Sequence, residues 1–296
     1  MKKSLAITGV AVVAAGVSIS AAASAAPVPV PAVSTISPAK ISAAGGTTVT
    51  ITGANLTGAT AVTIGGSSAS SVTVVSATKI TAVAPAGTNG AAAVAVTTSN
   101  GTSVASTRSS VTYRVPLGID VSGGPVAKAG GGPLLLEITG GELGDTAKAF
   151  AAEKITVMMG RSVLRATYVD AGHLNVTMPG LAADDAELTV VRDTVAGPPA
   201  TVTLAPVVTS LSAKEDLVVG GKKVSVRVAG AAVAQATGFM FGDTPADCTA
   251  KGTGSALAFE CVVPAAAAAG PVWVSFTSGS GKPSRFTAAS TFSYTD

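Results

Sequence analysis

From Thr47 to Thr52 polar and apolar residues alternate strictly: Val49 and Ile51 face one way, Thr48, Thr50 and Thr52 the other. A period of two is the mark of a half-buried β-strand. The same texture surrounds it. VSTI (Val33 to Ile36) precedes it, broken at Pro38 and turned at Gly45-Gly46; ATAVTIGG, SSVTVVSATKITAVAP, AAAVAVTTSNG and SSVTYR follow. Short strands at regular spacing with turn signals between them predict a β-sandwich. Gly53 and Asn55 stand where the chain leaves a strand. Glycine there permits backbone angles that other residues avoid, and Asn55 is expected to bond its own backbone. Gly65 and Gly66 are expected to end the next strand in the same way.

The pattern recurs twice. PLLLEITGGELG, KITVMMGRS, ATYVDAGHLNVTMPG, AELTVVRD and ATVTL form a divergent second copy. KKVSVRVAGAAV, ATGFMFGDTPADC, ALAFECVVPA, PVWVSFTSGSG and STFSYTD form a third. A glycine marks each copy (Gly65, Gly160, Gly242), and a proline follows it (Pro85, Pro179, Pro264) after 20, 19 and 22 residues. That spacing predicts a tandem array of about 80 to 90 residues per unit. The second copy carries an insertion, DTAKAFAAE, of helix-forming composition, expected to form a helical turn in a loop. Joints fall near Arg114/Val115 and Ala205/Pro206. They are short, so successive units should sit end to end with limited swing.

The N-terminus changes the setting. Lys2 and Lys3, an uncharged run from Leu5 and a close of small residues predict a secretory signal peptide cleaved after Ala25, against the alternative of a retained membrane anchor. No later run has the roughly 20 apolar residues of a transmembrane helix, so the mature chain is expected to be exported and held, if at all, non-covalently. Without Lys2 and Lys3, seventeen basic residues face sixteen acidic ones. That balance argues against nucleic acid as a partner, which calls for a basic stripe. Charged residues are 12% of the chain, about half the usual ~25%, and Ala, Gly, Ser, Thr and Val take their place.

The run ISP…AGGTTVTITGANL…ATAVTIGG…TKITAVAP…AVTTSNGTS, residues 36 to 103, resembles the IPT/TIG domain family. The third copy is similar to it in part, and the second by spacing and its TGGEL…ITVMMG segment. The resemblance implies an immunoglobulin-like β-sandwich; with the leader, the marker spacing and the Ala/Gly/Val-rich style it predicts an all-β chain of three tandem immunoglobulin-like β-sandwich domains after a signal peptide, in a secreted bacterial protein. The expected divisions are 1–25 signal peptide, 26–32 Pro-rich lead, then domains 33–114, 115–205 and 206–296. It implies no catalytic residues and no cofactor, and a setting among surface receptors, adhesive proteins and glycan-processing systems.

The residues that carry chemistry are few. His173 is the only histidine and aligns with Thr78 or Lys79 of the first copy, so it reads as a turn residue before a strand and not as a general base. Asp184, Asp185 and Glu187 are a fragment of a calcium cage, which needs six to eight oxygens; a solvated loop is the expectation. TGGELGD and VSGGPVAKAGGGP lack the features of a phosphate loop. Cys248 and Cys261 in an oxidising compartment predict one disulfide across strands flanking KGTGSA and no metal site. Closing that loop is worth about 3 kcal/mol in the chain-entropy account. In PVWVSFTSG, Val272, Val274 and Phe276 are expected to face inward, which turns Trp273 outward beside Ser275 and Thr277. An outward Trp is a platform for a sugar ring or an apolar patch of a partner, unless the segment from Gly279 to Arg285 or the neighbouring domain covers it. Tyr113 and Tyr294, at equivalent last-strand positions, read as structural.

The expected function is a non-enzymatic, extracellular module array. It would bind a polysaccharide, a cell-wall component or a protein partner, with Trp273, Ser275 and Thr277 as the contact. The alternatives are a spacer or self-assembling subunit joined through sheet edges, and an enzyme accessory subunit docking through the insertion of the second copy.

Overall fold

The computed structural model describes residues 29–124, 126–141 and 143–296; the signal-peptide expectation lies outside them. The chain forms three similar β-sandwich units. In the first, β1 (Ala32–Ser37), β3 (Thr48–Ala54), β7 (Lys79–Val83) and β6 (Ser70–Ser76) make one sheet in the order β1-β3-β7-β6. The other contains β2 (Lys40–Ser42), β10 (Ser110–Arg114), β8 (Gly90–Thr98), β4 (Ala59–Ile64) and β5 (Ser67–Ser68) in the order β2-β10-β8-β4-β5, with β9 (Gly101–Thr102) on β8. Pro38, which has no ladder donor to give, lies where the chain leaves one sheet and enters the other; β2 then pairs in parallel with β10.

The second unit repeats this order. β11 (Gly118–Ile119), β13 (Gly132–Thr139), β17 (His173–Met178) and β16 (Ala166–Tyr168) form the first sheet, ordered β11-β13-β17-β16. β12 (Val126–Lys128), β20 (Ala200–Ala205), β18 (Asp185–Arg192), β14 (Ile155–Met159) and β15 (Ser162–Leu164) form the second, with β19 (Val195–Ala196) on β18. The third unit pairs β21 (Val207–Leu211), β23 (Lys223–Ala229), β27 (Ala258–Val262) and β26 (Cys248–Lys251) as β21-β23-β27-β26. It packs them on β22 (Glu215–Leu217), β29 (Thr291–Thr295), β28 (Gly270–Thr277), β24 (Thr237–Phe241) and β25 (Thr244–Pro245), ordered β22-β29-β28-β24-β25. Strand order and the parallel first-to-last pairing are the same three times.

The alternation places the cores. Val49 and Ile51 of β3 are fully buried, with Ile80 from the neighbouring strand β7 and Val94, Val96 and Tyr113 from the facing sheet. The second core is leucine-rich, including Leu134, Leu136, Leu174, Leu188 and Leu204. The third is aromatic: Phe239 stacks on Phe276 at 5.4 Å, and Phe241 meets Phe292 edge-on at 5.0 Å. Gly65, Gly160 and Gly242 all occupy left-handed backbone, with φ of 60°, 57° and 62°, at the tight turn between β4 and β5 and its two counterparts. The marker prolines serve a second strut. Tyr113 donates its hydroxyl to the carbonyl of Pro85 at 2.8 Å, and Tyr294 to that of Pro264 at 2.9 Å. Burial pushes both phenols above their ordinary pKa, Asp216 adding to the effect at Tyr294, so both stay donors. The second unit has Leu204 at this register and forgoes the strut.

Two local expectations are corrected. Gly53 is not needed for a left-handed turn; a Cβ there would lie 1.9 Å from the Ala32 carbonyl oxygen, where the β1–β3 register shifts. Asn55, at φ 57°, donates its side-chain amide to the carbonyl of Val30 at 3.2 Å and not to its own backbone. The insertion does become one short helix, α1 (Ala147–Ala152), opened by the Thr146 hydroxyl accepting from the Ala149 N–H. Among the described residues no helix is long and apolar enough to cross a membrane.

Candidate functional site

β28 alternates as its sequence requires: Val274 and Phe276 are 1% and 2% exposed, whereas Trp273 between its apolar neighbours is 44% exposed. On one side Trp273 pairs with Thr291 of β29. On the other its carbonyl accepts from the N–H of Gly242 at 3.0 Å. Phe286, itself exposed, meets the indole edge-on, with centroids 5.6 Å apart and planes at 61°. Pro271, Val272, Trp273, Phe286 and Thr291 line an open hollow of about 460 Å³. Its lining is two aromatic rings, two aliphatic side chains and a hydroxyl, with no charge. Such a corner takes a flat, uncharged group presenting C–H bonds to the rings.

Ser275 and Thr277 share the strand with Trp273 but do not line this hollow. Ser275 is half-buried opposite Met240, and Thr277 is bridged by Pro283 of the following loop. No residue from Gly279 to Arg285 lines the hollow, and the indole stays exposed. Sequence reasoning missed Pro271, Thr291 and above all Phe286, whose only signal was an aromatic residue inside the polar stretch KPSRFTAAS.

Cys248 and Cys261 face each other in register on β26 and β27 and are joined by an S–S bond of 2.00 Å. The bond pins the outer strand of the sheet opposite the aromatic corner. His173 closes the turn that begins at Asp170, its N–H donating to the Asp170 carbonyl at 3.4 Å, and opens β17. Its Nδ1 lies 2.8 Å from Asp170 Oδ1, and this hydrogen bond holds the Asp170 carboxyl below the usual carboxylate range. Asp216 accepts from the N–H groups of Leu217 and Lys222 at 2.9 Å each, so it closes its own turn. Among the described residues no group of three or more His, Cys, Asp or Glu could hold a metal ion.

Asp184 ends the loop before β18 and Asp185 opens that strand; both side chains stay partly exposed, but they are engaged across the joint. Lys282 of the third unit places its Nζ 3.6 Å from a carboxylate oxygen of each and 2.9 Å from the Asp184 carbonyl. Ser280 donates to Asp184 Oδ1 at 3.0 Å. The other joint is built likewise. Arg114 pairs with Glu153, the residue that ends α1, and Lys40 meets Asp193 at 2.6 Å. The Lys40 hydrogen bond holds Asp193 below the usual carboxylate range. One end of the insertion is therefore committed to the first unit.

Residues 31–115 match the model of the IPT/TIG domain family, so the first sandwich is a domain of that kind. No curated protein sequence matches the chain. Among solved structures it is similar to the full extracellular region of plexin A4, at 15% identity over 92% of this chain and 25% of that one, with a TM-score of 0.35. It is also similar to SGBP-B of the Bacteroides ovatus mixed-linkage glucan utilization locus, solved with a mixed-linkage heptasaccharide, at 16% identity over 87% of this chain and 65% of that one, TM-score 0.26. A third is invasin, a bacterial integrin-binding protein, at 13% identity over 89% of this chain and 60% of that one, TM-score 0.27. The chain thus spans a quarter of the plexin region and less than two thirds of the other two.

Proposed function

We propose that the protein is a non-catalytic extracellular array of three IPT/TIG-like sandwiches whose third unit binds a neutral polysaccharide. The observation that carries this reading is the uncharged aromatic corner of Trp273 and Phe286. A pyranose ring has one face of C–H bonds that stacks on an indole, while its hydroxyls turn to water and to donors such as Thr291. An anionic wall polymer would find no cation lining the hollow. Scaffold needs do not explain the Trp, since the first unit has Ala93 in the same place.

Co-sedimentation of residues 26–296 with insoluble neutral polysaccharides and with anionic cell walls tests it. Saturable pelleting with a neutral polymer, weakened about thirtyfold in Trp273→Ala as for an interface hot spot, is expected. Pelleting that survives Trp273→Ala, or that occurs only with the anionic wall, overturns the reading.

One observation favours self-assembly as a second reading. The edge strand β6 is seven residues long, carries no charge, and leaves Val75 56% exposed, which is the kind of edge that recruits another strand. Two register shifts interrupt its ladder, between Ser70 and Thr73 and between Val74 and Ser76. Such bulges blunt edges, and the polysaccharide reading is preferred. Pelleting of the protein without any polymer would reverse that preference.

A further inference from the structure

The loop between β28 and β29 joins two features that the sequence keeps apart. Its middle reaches into the second unit, where Lys282 sits between Asp184 and Asp185 and Ser280 donates to Asp184. Farther along it carries Phe286, the second ring of the aromatic corner. Between them the backbone leaves little slack. Ser284 exchanges hydrogen bonds with Phe276, donating from its N–H at 2.8 Å and accepting on its Oγ at 2.9 Å. The Arg285 N–H donates to the Pro206 carbonyl at 2.9 Å, and the Thr287 hydroxyl to that of Val208 at 2.8 Å. Phe286 is thus bracketed by two bonds to the stretch that leads from the second unit into β21. That stretch is itself seated on the second unit: a Cβ on Gly130 would come within 2.9 Å of Val207 Cγ2.

We infer that the second unit is a structural part of the aromatic site, with Asp184, Asp185 and Lys282 as positioning residues that hold Phe286 against Trp273 through this loop. None of the three lines the hollow. The inference rests on the polysaccharide reading for its purpose but not for its geometry. It also gives the acidic pair a role that neither a calcium cage nor a solvated loop supplies.

Trp273 is the only tryptophan, so its fluorescence reports on the corner with no ligand present. The measurement is acrylamide quenching of the full mature chain, comparing wild type with Lys282→Ala and with Asp184→Asn/Asp185→Asn. Lys223→Ala, which breaks the Lys223–Glu260 pair elsewhere on the third unit, is the control. Exposed ion pairs are individually weak, so a rise of about twofold in the quenching constant is expected in both test variants and none in the control. Affinity for the neutral polymer should fall by a similar factor, and Lys282→Arg should restore both. A rise in Lys282→Ala alone removes the two carboxylates from the positioning set and leaves Lys282 on the Asp184 carbonyl, and a rise in the double variant alone overturns the role of Lys282. Quenching unchanged in both, with circular dichroism intact, overturns the inference. If quenching rises while no polymer pellets, the positioning role stands and the polysaccharide reading falls.

Discussion

The first and third sandwiches share one strand order and differ in what they hang on it. Gly90 lies opposite Tyr113 and Gly270 opposite Tyr294, which aligns β8 with β28 residue by residue. Ala91, Ala92 and Ala93 then answer to Pro271, Val272 and Trp273. Eight of the eleven aromatic residues lie in residues 206–296, and Tyr113 is the lone aromatic of the first unit. The positions held in common are those the scaffold cannot change cheaply: the left-handed glycine at the tight turn, the buried alternating faces, the tyrosine strut to the marker proline. The outward positions of the β8/β28 strand are free, and there the third unit places its indole. The comparison separates residues that keep the fold from residues that give one copy a site.

The largest test of that separation is the disulfide, which the first unit lacks. Replacing both Cys248 and Cys261 with serine is expected to lower the stability of the third unit by about 3 kcal/mol, read as an earlier thermal transition for that unit with the first unchanged. A single shift shared by all three units would show that they do not unfold separately. Next comes the strut. Tyr113→Phe removes one hydroxyl and leaves the Pro85 carbonyl short of a donor, a loss of about 1 kcal/mol in denaturant unfolding of the first unit. Tyr294→Phe should cost the third unit the same, and no effect at either would mark the strut as incidental. The smallest effect belongs to the outward position: Ala93→Trp should change stability by no more than about 0.5 kcal/mol, because that side chain faces solvent. A large loss there would mean that the outer face of β8 belongs to the scaffold after all.

Much of the fold was legible. Period-two alternation identified β3 and β28, and the glycine and proline markers aligned the three copies before any strand pairing was known. The outward turn of Trp273 followed from its two inward neighbours alone. The site was less legible, since its second ring lies thirteen residues away in a loop with no period to read. At Gly53 a steric approach to Ala32, remote in sequence, selects the same residue that a left-handed turn would, so the residue type alone does not tell the two apart. The engagement of Asp184 and Asp185 by Lys282 leaves no mark in the sequence, because the lysine is nearly a hundred positions away.

The sequence by itself determined the class, the number of units and the face on which each strand residue lies, because these depend on local periodicity and on turns that only certain residues can make. Tertiary structure alone decided which side chains meet: Phe286 with Trp273, Lys282 with Asp184 and Asp185, Tyr113 with the Pro85 carbonyl. Those meetings depend on how the β28–β29 loop and the inter-unit joints close in space, and no pattern along the chain encodes a distance between residues so far apart.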